Sequence, residues 1–257
     1  MAEATTTRDG FIGGRLHLSQ PTAGHRAGTD AVLLAAAVPE KADGRAIDAG
    51  AGVGAAGLAA ARAASALRMA LLERDPTLNA LARANIAANG LEDRAFVAEA
   101  DLLSRNSCRG AGLEREAADF VLTNPPFLSA ETARISPDHE KASAHVIGAG
   151  GLEAWISACL ALLRPGGTFL IIHRADALQE ALQALSPVAG AIVVLPIHAT
   201  ADRAATRILI RAVKRRRTPL VLAPPLVLHQ ADGSFTTRAE ALHRGDARID
   251  WDRLSRA

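Results

Sequence analysis

The chain of 257 residues contains no tyrosine, two tryptophans and six phenylalanines, so aromatic residues make up only 3% of it. Extended aromatic platforms for stacking bases are therefore excluded, and any base recognition must be concentrated at Phe127. The two cysteines, Cys108 and Cys159, are too few for a disulfide framework and are not spaced as a C-x-x-C pair for zinc. A reducing compartment follows. None of the eight histidines pairs with another at i, i+4 beside an acid, so no metal site is expected. No apolar run reaches the ~18 residues of a membrane span, and Met1 to Arg8 is polar with no apolar h-region. The expectation is a soluble, cytoplasmic chain with no membrane partner.

What is present is alternation. From residue 46 to 172, short apolar runs alternate with helical patterns and leave no linker, which predicts one α/β domain. A helix is expected near residues 30–38, followed by strand-helix units at 46–64 and 68–89 and a strand at 95–98. A polar loop is expected at 103–118, a strand at 119–123, and a charged loop at 128–150 that carries Arg134, Asp138, His139, Lys141 and His145. Leu152, Ile156, Cys159, Leu160 and Leu163 recur at helical spacing, which puts Trp155 among core residues. Pro165-Gly166-Gly167 should turn the chain into a strand at 168–172. A helix at 175–186 and strands at 191–195 and 206–213 complete the pattern, the last inserted antiparallel. The net charge of +2 conceals a run, residues 203–217, with Arg203, Arg207, Arg211, Lys214, Arg215, Arg216 and Arg217 and no acid. It is either a polyanion footprint or a solvated strand end.

Asn124-Pro125-Pro126-Phe127 follows the strand at 119–123. Two prolines remove two N–H donors and fix two φ angles, so the chain must leave the sheet in a rigid, extended turn. The Asn124 amide oxygen and the Pro125 carbonyl can both accept from one –NH2 group, while Phe127 offers a face for a planar ring. The plain alternative is a loop cap with Asn124 in an Asx turn.

Arg45 to Gly54 reads as a short strand, an acid at Asp48, and a glycine-rich turn opening an Ala-rich helix near Val53. Gly50 and Gly52 allow backbone to approach a ligand, with the helix N–H groups aimed at it. Gly52 to Gly57 also fits the dinucleotide fingerprint G-x-G-x-x-G. Asp48 argues against a pyrophosphate, because a carboxylate beside the turn favours a cation. Glu73 ends the next strand, where an acid can take both hydroxyls of a ribose; pairing with Arg74 or capping the following helix competes with that role. Asp101 and the Leu102 N–H follow the third strand, placed to read an adenine edge, although such an acid is more often a solvated loop residue. Asp48, Glu73, Asp101 and Asn124 all stand at carboxyl ends of successive strands, where open α/β sheets bind ligands.

These motifs resemble those of class I S-adenosylmethionine-dependent methyltransferases, the last being the (Asn/Asp)-Pro-Pro-aromatic signature of amino-group methylation. S-adenosylmethionine carries an ammonium and a sulfonium and no phosphate, which suits Asp48. Two flanking stretches, Asp9 to Leu16 with Gln20-Pro21 and Gly24 to Leu34, and the late Pro224 to His229 before Asp232-Gly233, resemble the bacterial family that methylates adenine N6 in valine tRNA. The similarity covers nearly the whole chain, with Phe127 where many relatives have tyrosine and His25 where an aromatic is common. It implies a Rossmann-like fold with a seven-stranded, mostly parallel sheet and helices on both faces. The implied division is an N-terminal lid segment at 1–40, a core at 41–217 and a C-terminal extension at 218–257. It further implies S-adenosylmethionine contacts from Thr29, Asp48, Gly50, Ala51, Gly52, Glu73, Arg74, Asp101, Leu102 and Asn124. Catalysis falls to Asn124, Pro125, Pro126 and Phe127, and the partner is RNA, tRNA in particular. A glutamine side-chain amide in a protein, or a ribosomal RNA base amine, also fits the turn.

Overall fold

The structure, a computed structural model, describes residues 6–22, 26–126, 128–129, 146–147 and 150–256. In chain order its strands are β1 (Thr6–Phe11), β2 (Leu16–Pro21), β3 (Gly44–Ala49), β4 (Leu67–Glu73), β5 (Ala95–Glu99) and β6 (Ala118–Thr123). There follow β7 (Leu128–Ser129), β8 (Val146–Ile147), β9 (Leu163–Arg174), β10 (Ala189–His198), β11 (Ala205–Lys214), β12 (Val221–Leu222) and β13 (Leu226–Val227). The helices are α1 (Thr29–Ala36), α2 (Ala55–Ala63), α3 (Pro76–Ala88), α4 (Arg105–Gly110), α5 (Gly151–Leu162), α6 (Leu178–Leu185), α7 (Thr237–Arg244) and α8 (Trp251–Leu254).

Strand period explains the layers. In β4, Leu67, Met69 and Leu71 face one side and Ala70 and Leu72 the other, and all five are buried. A strand buried on both faces needs this continuous apolar run, and it must be covered twice. One cover packs Leu33, Leu34, Leu58 and Ile86 from α1, α2 and α3; the other packs Leu152, Ile156, Cys159 and Leu185 from α5 and α6. The central sheet runs β5-β4-β3-β6-β9-β11-β10, with β12 and β13 both on the outer edge of β10. Among these strands only β11 runs against the rest. Seven long strands match the expected count, and the two-residue β12 and β13 raise the total to nine. Strand order reverses between β3 and β6, the crevice where such sheets take ligands.

Three local expectations are corrected. The polar 103–118 segment contains α4, because Ser104 caps it by accepting from the Ser107 N–H and Cys108 plugs into the core. Pro165-Gly166-Gly167 lies inside β9 as a bulge: β6 pairs Ala118 with Leu163 and then Phe120 with Thr168, and Gly166 supplies the positive φ of +76°. The helix after the glycine turn starts at Ala55, two residues later than expected, behind Gly54 at φ +88°.

Both ends of the described chain are pinned to the core. The β1–β2 hairpin is clamped to α3 by two asparagines one turn apart. Asn85 and Asn89 each accept a backbone N–H of β2, from Ser19 and His17, and return a bond to the carbonyl of the same residue, at 2.7–3.0 Å. Each side-chain amide thus copies the pairing of a neighbouring strand. The α1 segment, with Ala31 to Ala36 all buried, is a core helix, and its last carbonyls are satisfied by the extension. The Ile249 N–H bonds Ala36 O at 2.9 Å and the Trp251 indole N–H bonds Ala37 O at 2.7 Å.

Candidate active site

The register brings the sequence motifs to one edge. Ala49 pairs with both Leu72 and Thr123, and Glu73 pairs with Glu99, so the residues that follow β3, β4, β5 and β6 emerge together at their carboxyl ends. The structure gathers Asp48, the glycine turn, Glu73, Asp101 and Asn124 there. Thr29 stands elsewhere in the hydrogen-bond pattern: its hydroxyl meets His243 Nε2 at 3.1 Å.

The glycine turn is held by internal bonds. The Gly50 and Ala51 N–H groups both donate to Leu72 O, at 2.9 and 3.0 Å, the Gly54 N–H donates to Ala51 O, and the Gly52 N–H donates to Glu73 Oε2 at 2.9 Å. The amides of Gly50, Ala51, Gly52 and Gly54 are therefore spent within the protein. The turn's value to a ligand is steric instead: Gly52, at φ +56°, has nothing within 4 Å of where a Cβ would stand. Gly50 differs, since a Cβ there would come within 2.9 Å of Trp155.

Asp48 is 2% exposed, and its Oδ2 accepts from the Gly57 N–H at 2.8 Å. Gly57 must be glycine, because a Cβ would lie 2.5 Å from Leu71 and 2.9 Å from that oxygen. Burial pushes the Asp48 carboxyl up to about 7, with the Gly57 bond pulling down and the Glu73 charge pushing up. Asp48 so braces the start of α2.

Glu73 uses one oxygen on Gly52 and the other on the N–H groups of Arg74 and Asp75, at 2.8 and 2.9 Å. The helix cap is Asp75, which accepts from the Thr77 and Leu78 N–H groups, and the exposed Arg74 makes no ion pair with Glu73 among the described residues. Three acceptor sites are used out of about four. Asp101 forms an Asx turn, its Oδ1 taking the Leu103 N–H at 2.9 Å, while the Leu102 side chain is in the core.

Asn124 carries the clearest signal. Its Oδ1 is buried and has no hydrogen-bond partner among the described residues. Leaving a buried acceptor unpaired costs about 1–3 kcal/mol, so a donor is expected to meet it. The Asx-turn alternative needs that oxygen to be bonded locally, and among the described residues it is not. Pro125 is buried and Pro126 half-buried beside it; Phe127, His25 and the charged positions between 130 and 145 lie outside the described residues.

Sequence reasoning passed over the residues that join the two motifs. Thr123 donates to Ala49 O at 2.7 Å and accepts from the Trp155 indole N–H at 2.9 Å, while that indole packs over Gly50. Asn85 extends the brace by donating to Val53 O at 3.0 Å. Neither link has a local pattern to betray it. The basic run is also redistributed: Arg207 pairs with Asp30 at 3.0 Å, Arg211 lies 5.8 Å from the Trp251 ring centroid, and Lys214 is bonded to Glu116 and Leu163 O. Arg203 stands at the ligand-facing end of β11, and Arg215 to Arg217 stand at the far end of a strand about 30 Å long. At least two surfaces share these charges.

The model of the methyltransferase small domain family matches residues 25–192. The chain belongs to that family, and it spans about three fifths of the length of the first curated relatives it matches. The tRNA1(Val) (adenine(37)-N6)-methyltransferase of Porphyromonas gingivalis W83 is 33% identical over 159 residues, 60% of this chain and 61% of that protein. The protein of the same description from Aeromonas hydrophila is 26% identical over 233 residues, 89% of this chain and 93% of its own length. Among solved structures, a predicted O-methyltransferase from Agrobacterium tumefaciens superposes with a TM-score of 0.72 at 29% identity, covering 86% of this chain and 98% of that one. The residues fit the cofactor where they can be tested, with space over Gly52 and a carboxylate at Glu73. Among the described residues no group of three His, Cys, Asp or Glu side chains converges as a metal site, and no helix is long and apolar enough to cross a membrane.

Proposed function

We propose that the protein methylates the exocyclic N6 amine of an adenine in RNA, tRNA in particular. The observation that carries this reading is the buried, unpartnered Oδ1 of Asn124 at the head of an Asn-Pro-Pro turn. An amine donor supplies the bond that oxygen lacks. Bound S-adenosylmethionine supplies an electrophilic methyl group on a sulfonium. Asn124 Oδ1 and the Pro125 carbonyl take the two N–H bonds of the acceptor amine, which turns its ring-delocalised lone pair out of the base plane. The Thr123–Trp155 link holds this turn against the glycine turn, so acceptor and cofactor keep one relative position. Phe127 is assigned to stacking on the base. Glu73 is assigned to the ribose, with Thr29, Gly50, Ala51, Gly52, Arg74, Asp101 and Leu102 as the remaining cofactor contacts. Asp48 reaches the cofactor through the turn it braces.

The descriptions of the relatives in Porphyromonas gingivalis and Aeromonas hydrophila support tRNA as the substrate class. Transfer of labelled methyl from S-adenosylmethionine to fractionated cellular RNA and protein, followed by nucleoside analysis, tests the reading. Label recovered as N6-methyladenosine in the tRNA fraction is the expected result. Label in ribosomal RNA would move the substrate within the class, and label in protein as a methylated glutamine amide would overturn it.

A further inference from the structure

A second assembly of rings stands at the carboxyl-end face, running from the Pro224 to His229 stretch into α7. After β13 the chain forms a small hairpin in which His229 bridges Phe235. There the Phe235 ring lies between two imidazoles: His229 at a centroid distance of 4.8 Å and 20° from parallel, and His243 at 4.3 Å and 28°. Phe235 is 37% exposed. The ladder is fixed at both ends. His229 Nδ1 faces Gly233 O at 3.2 Å and His243 Nδ1 faces Ala239 O at 2.8 Å; a carbonyl only accepts, so each Nδ1 carries a proton. In the neutral ring Nε2 is then the acceptor, filled at His243 by the Thr29 hydroxyl. No further ring stacks on the outer face of His229 among the described residues.

The ladder is stitched to the sheet beside a cation. The Leu228 and His229 N–H groups bond to His198 O and Ala199 O, at 2.9 and 2.8 Å, which joins the hairpin to the loop after β10. That loop carries Arg203, which is exposed and makes no ion pair among the described residues, its backbone held by the Thr200 carbonyl and its own carbonyl by His198 Nδ1. From β6 the sheet continues through β9, β11 and β10 to β13. Four strand spacings make about 19 Å between the Asn124 turn and the ladder, too far for one base to touch both.

We propose that this ladder seats a second, unpaired nucleotide of the RNA substrate, its base stacked on the outer face of His229 and a phosphate beside it paired with Arg203. The inference rests on the RNA reading above and extends it, giving the enzyme contact with a nucleotide that it does not methylate. A prealigned ring stack accepts any base, because every base has a π-face, so this seat adds affinity and places the strand without reading sequence. Base recognition is in that case shared between the Asn-Pro-Pro turn and the C-terminal hairpin, which amends the expectation that it must centre on Phe127.

The test uses the full chain and a fluorescein-labelled, unstructured single-stranded RNA 12-mer, with S-adenosylmethionine affinity measured by calorimetry as the control for folding. His229→Ala should weaken RNA binding by about 5–50-fold with cofactor affinity unchanged, and His229→Phe, which keeps a stacking face but not the Nδ1 bond, should bind at least as tightly as wild type. Arg203→Gln should reduce the slope of log K against log salt by about 0.7. If His229→Ala binds like wild type, or His229→Phe is as weak as His229→Ala, the seat is overturned while RNA methylation by the wild type still stands. Wild-type protein that neither binds nor methylates RNA removes the RNA reading and this proposal with it.

Discussion

The two halves of the ligand-facing edge are built on opposite plans. On the β3–β4 side the groups of the glycine turn and its acids are already used: four amides of the turn bond within the protein, both Glu73 oxygens are engaged, and the Asp48 carboxyl is enclosed against Gly57. On the β6 side the key group is unpaired, since Asn124 Oδ1 is buried with nothing to accept from among the described residues. The first half is a finished surface, shaped by backbone, that offers space and a carboxylate. The second is an unfinished one whose missing bond is the substrate's. A cofactor common to many reactions suits a backbone-built site, while the acceptor must be recognised by what it alone can donate.

Removing the unpaired group should have the largest effect. Asn124→Ala is expected to lower single-turnover methyl transfer at least ~100-fold while cofactor binding stays within a few-fold, because a positioning bond at the reacting nitrogen is lost and the cofactor surface is untouched. Near-normal turnover would erase the distinction between the halves.

A group from the finished half should show the reverse pattern. Glu73→Ala is expected to weaken cofactor binding ~10–100-fold, or about 1.5–3 kcal/mol by calorimetry, with loss of thermal stability as well, since three backbone donors lose their acceptor. Lost stability with unchanged affinity would make Glu73 an internal brace only.

A third comparison sharpens the electrostatics of the finished half. Because the Asp48 carboxyl is raised to about 7, the folded chain holds its proton between about pH 4 and pH 7 when the unfolded chain has released it. The Asp48 contribution is thus complete below about pH 4 and lost as pH rises through 7. His173, pushed down to about 4 by burial and then by Arg174 and Arg207, titrates over the same window in the opposite sense: its contribution is present above about 6.5 and lost as pH falls toward 4. The informative measurement is therefore the difference between Asp48→Asn and wild type. The variant's relative stability should rise by about 1–3 kcal/mol from pH 4 to pH 8 in urea titrations, and a flat difference would count against a protonated Asp48.

The smallest effect is expected far from both halves. Replacing Arg215, Arg216 and Arg217 with Gln should leave RNA affinity and its salt slope nearly unchanged, since these residues lie at the opposite end of β11 from Asn124. A slope that flattens by about 2 would extend the RNA interface down the side of the sheet.

Much of the site could be read without coordinates, because its parts sit at fixed places in a repeating strand-helix pattern. The acids at 48, 73 and 101 and the turn at 124 each follow an apolar run, and a parallel sheet collects such positions at one edge. The missed features are all long-range. Trp155 looked like core and is mostly that, yet its indole N–H reaches Thr123, 32 residues away. The amides of Asn85 and Asn89 replace a neighbouring strand across 66 and 72 residues, where an asparagine in a helix gives no hint of a partner. The basic run looked like a single patch because charges were counted along the chain, whereas a strand sends alternate residues to opposite faces and separates its two ends.

Local sequence thus determined the order of elements, the glycine positions that only a positive φ or a close approach permits, and the rigid Asn-Pro-Pro exit from β6; these depend on φ preferences and on the period of apolar residues, which neighbours in the chain carry. Only the tertiary structure decided which donors and acceptors were already spent. It engaged the glycine-turn amides, enclosed Asp48, left Asn124 Oδ1 unpaired and stacked His229, Phe235 and His243 beside the loop of Arg203. Whether a polar group is free depends on what packs against it from elsewhere in the chain, and no local pattern carries that information.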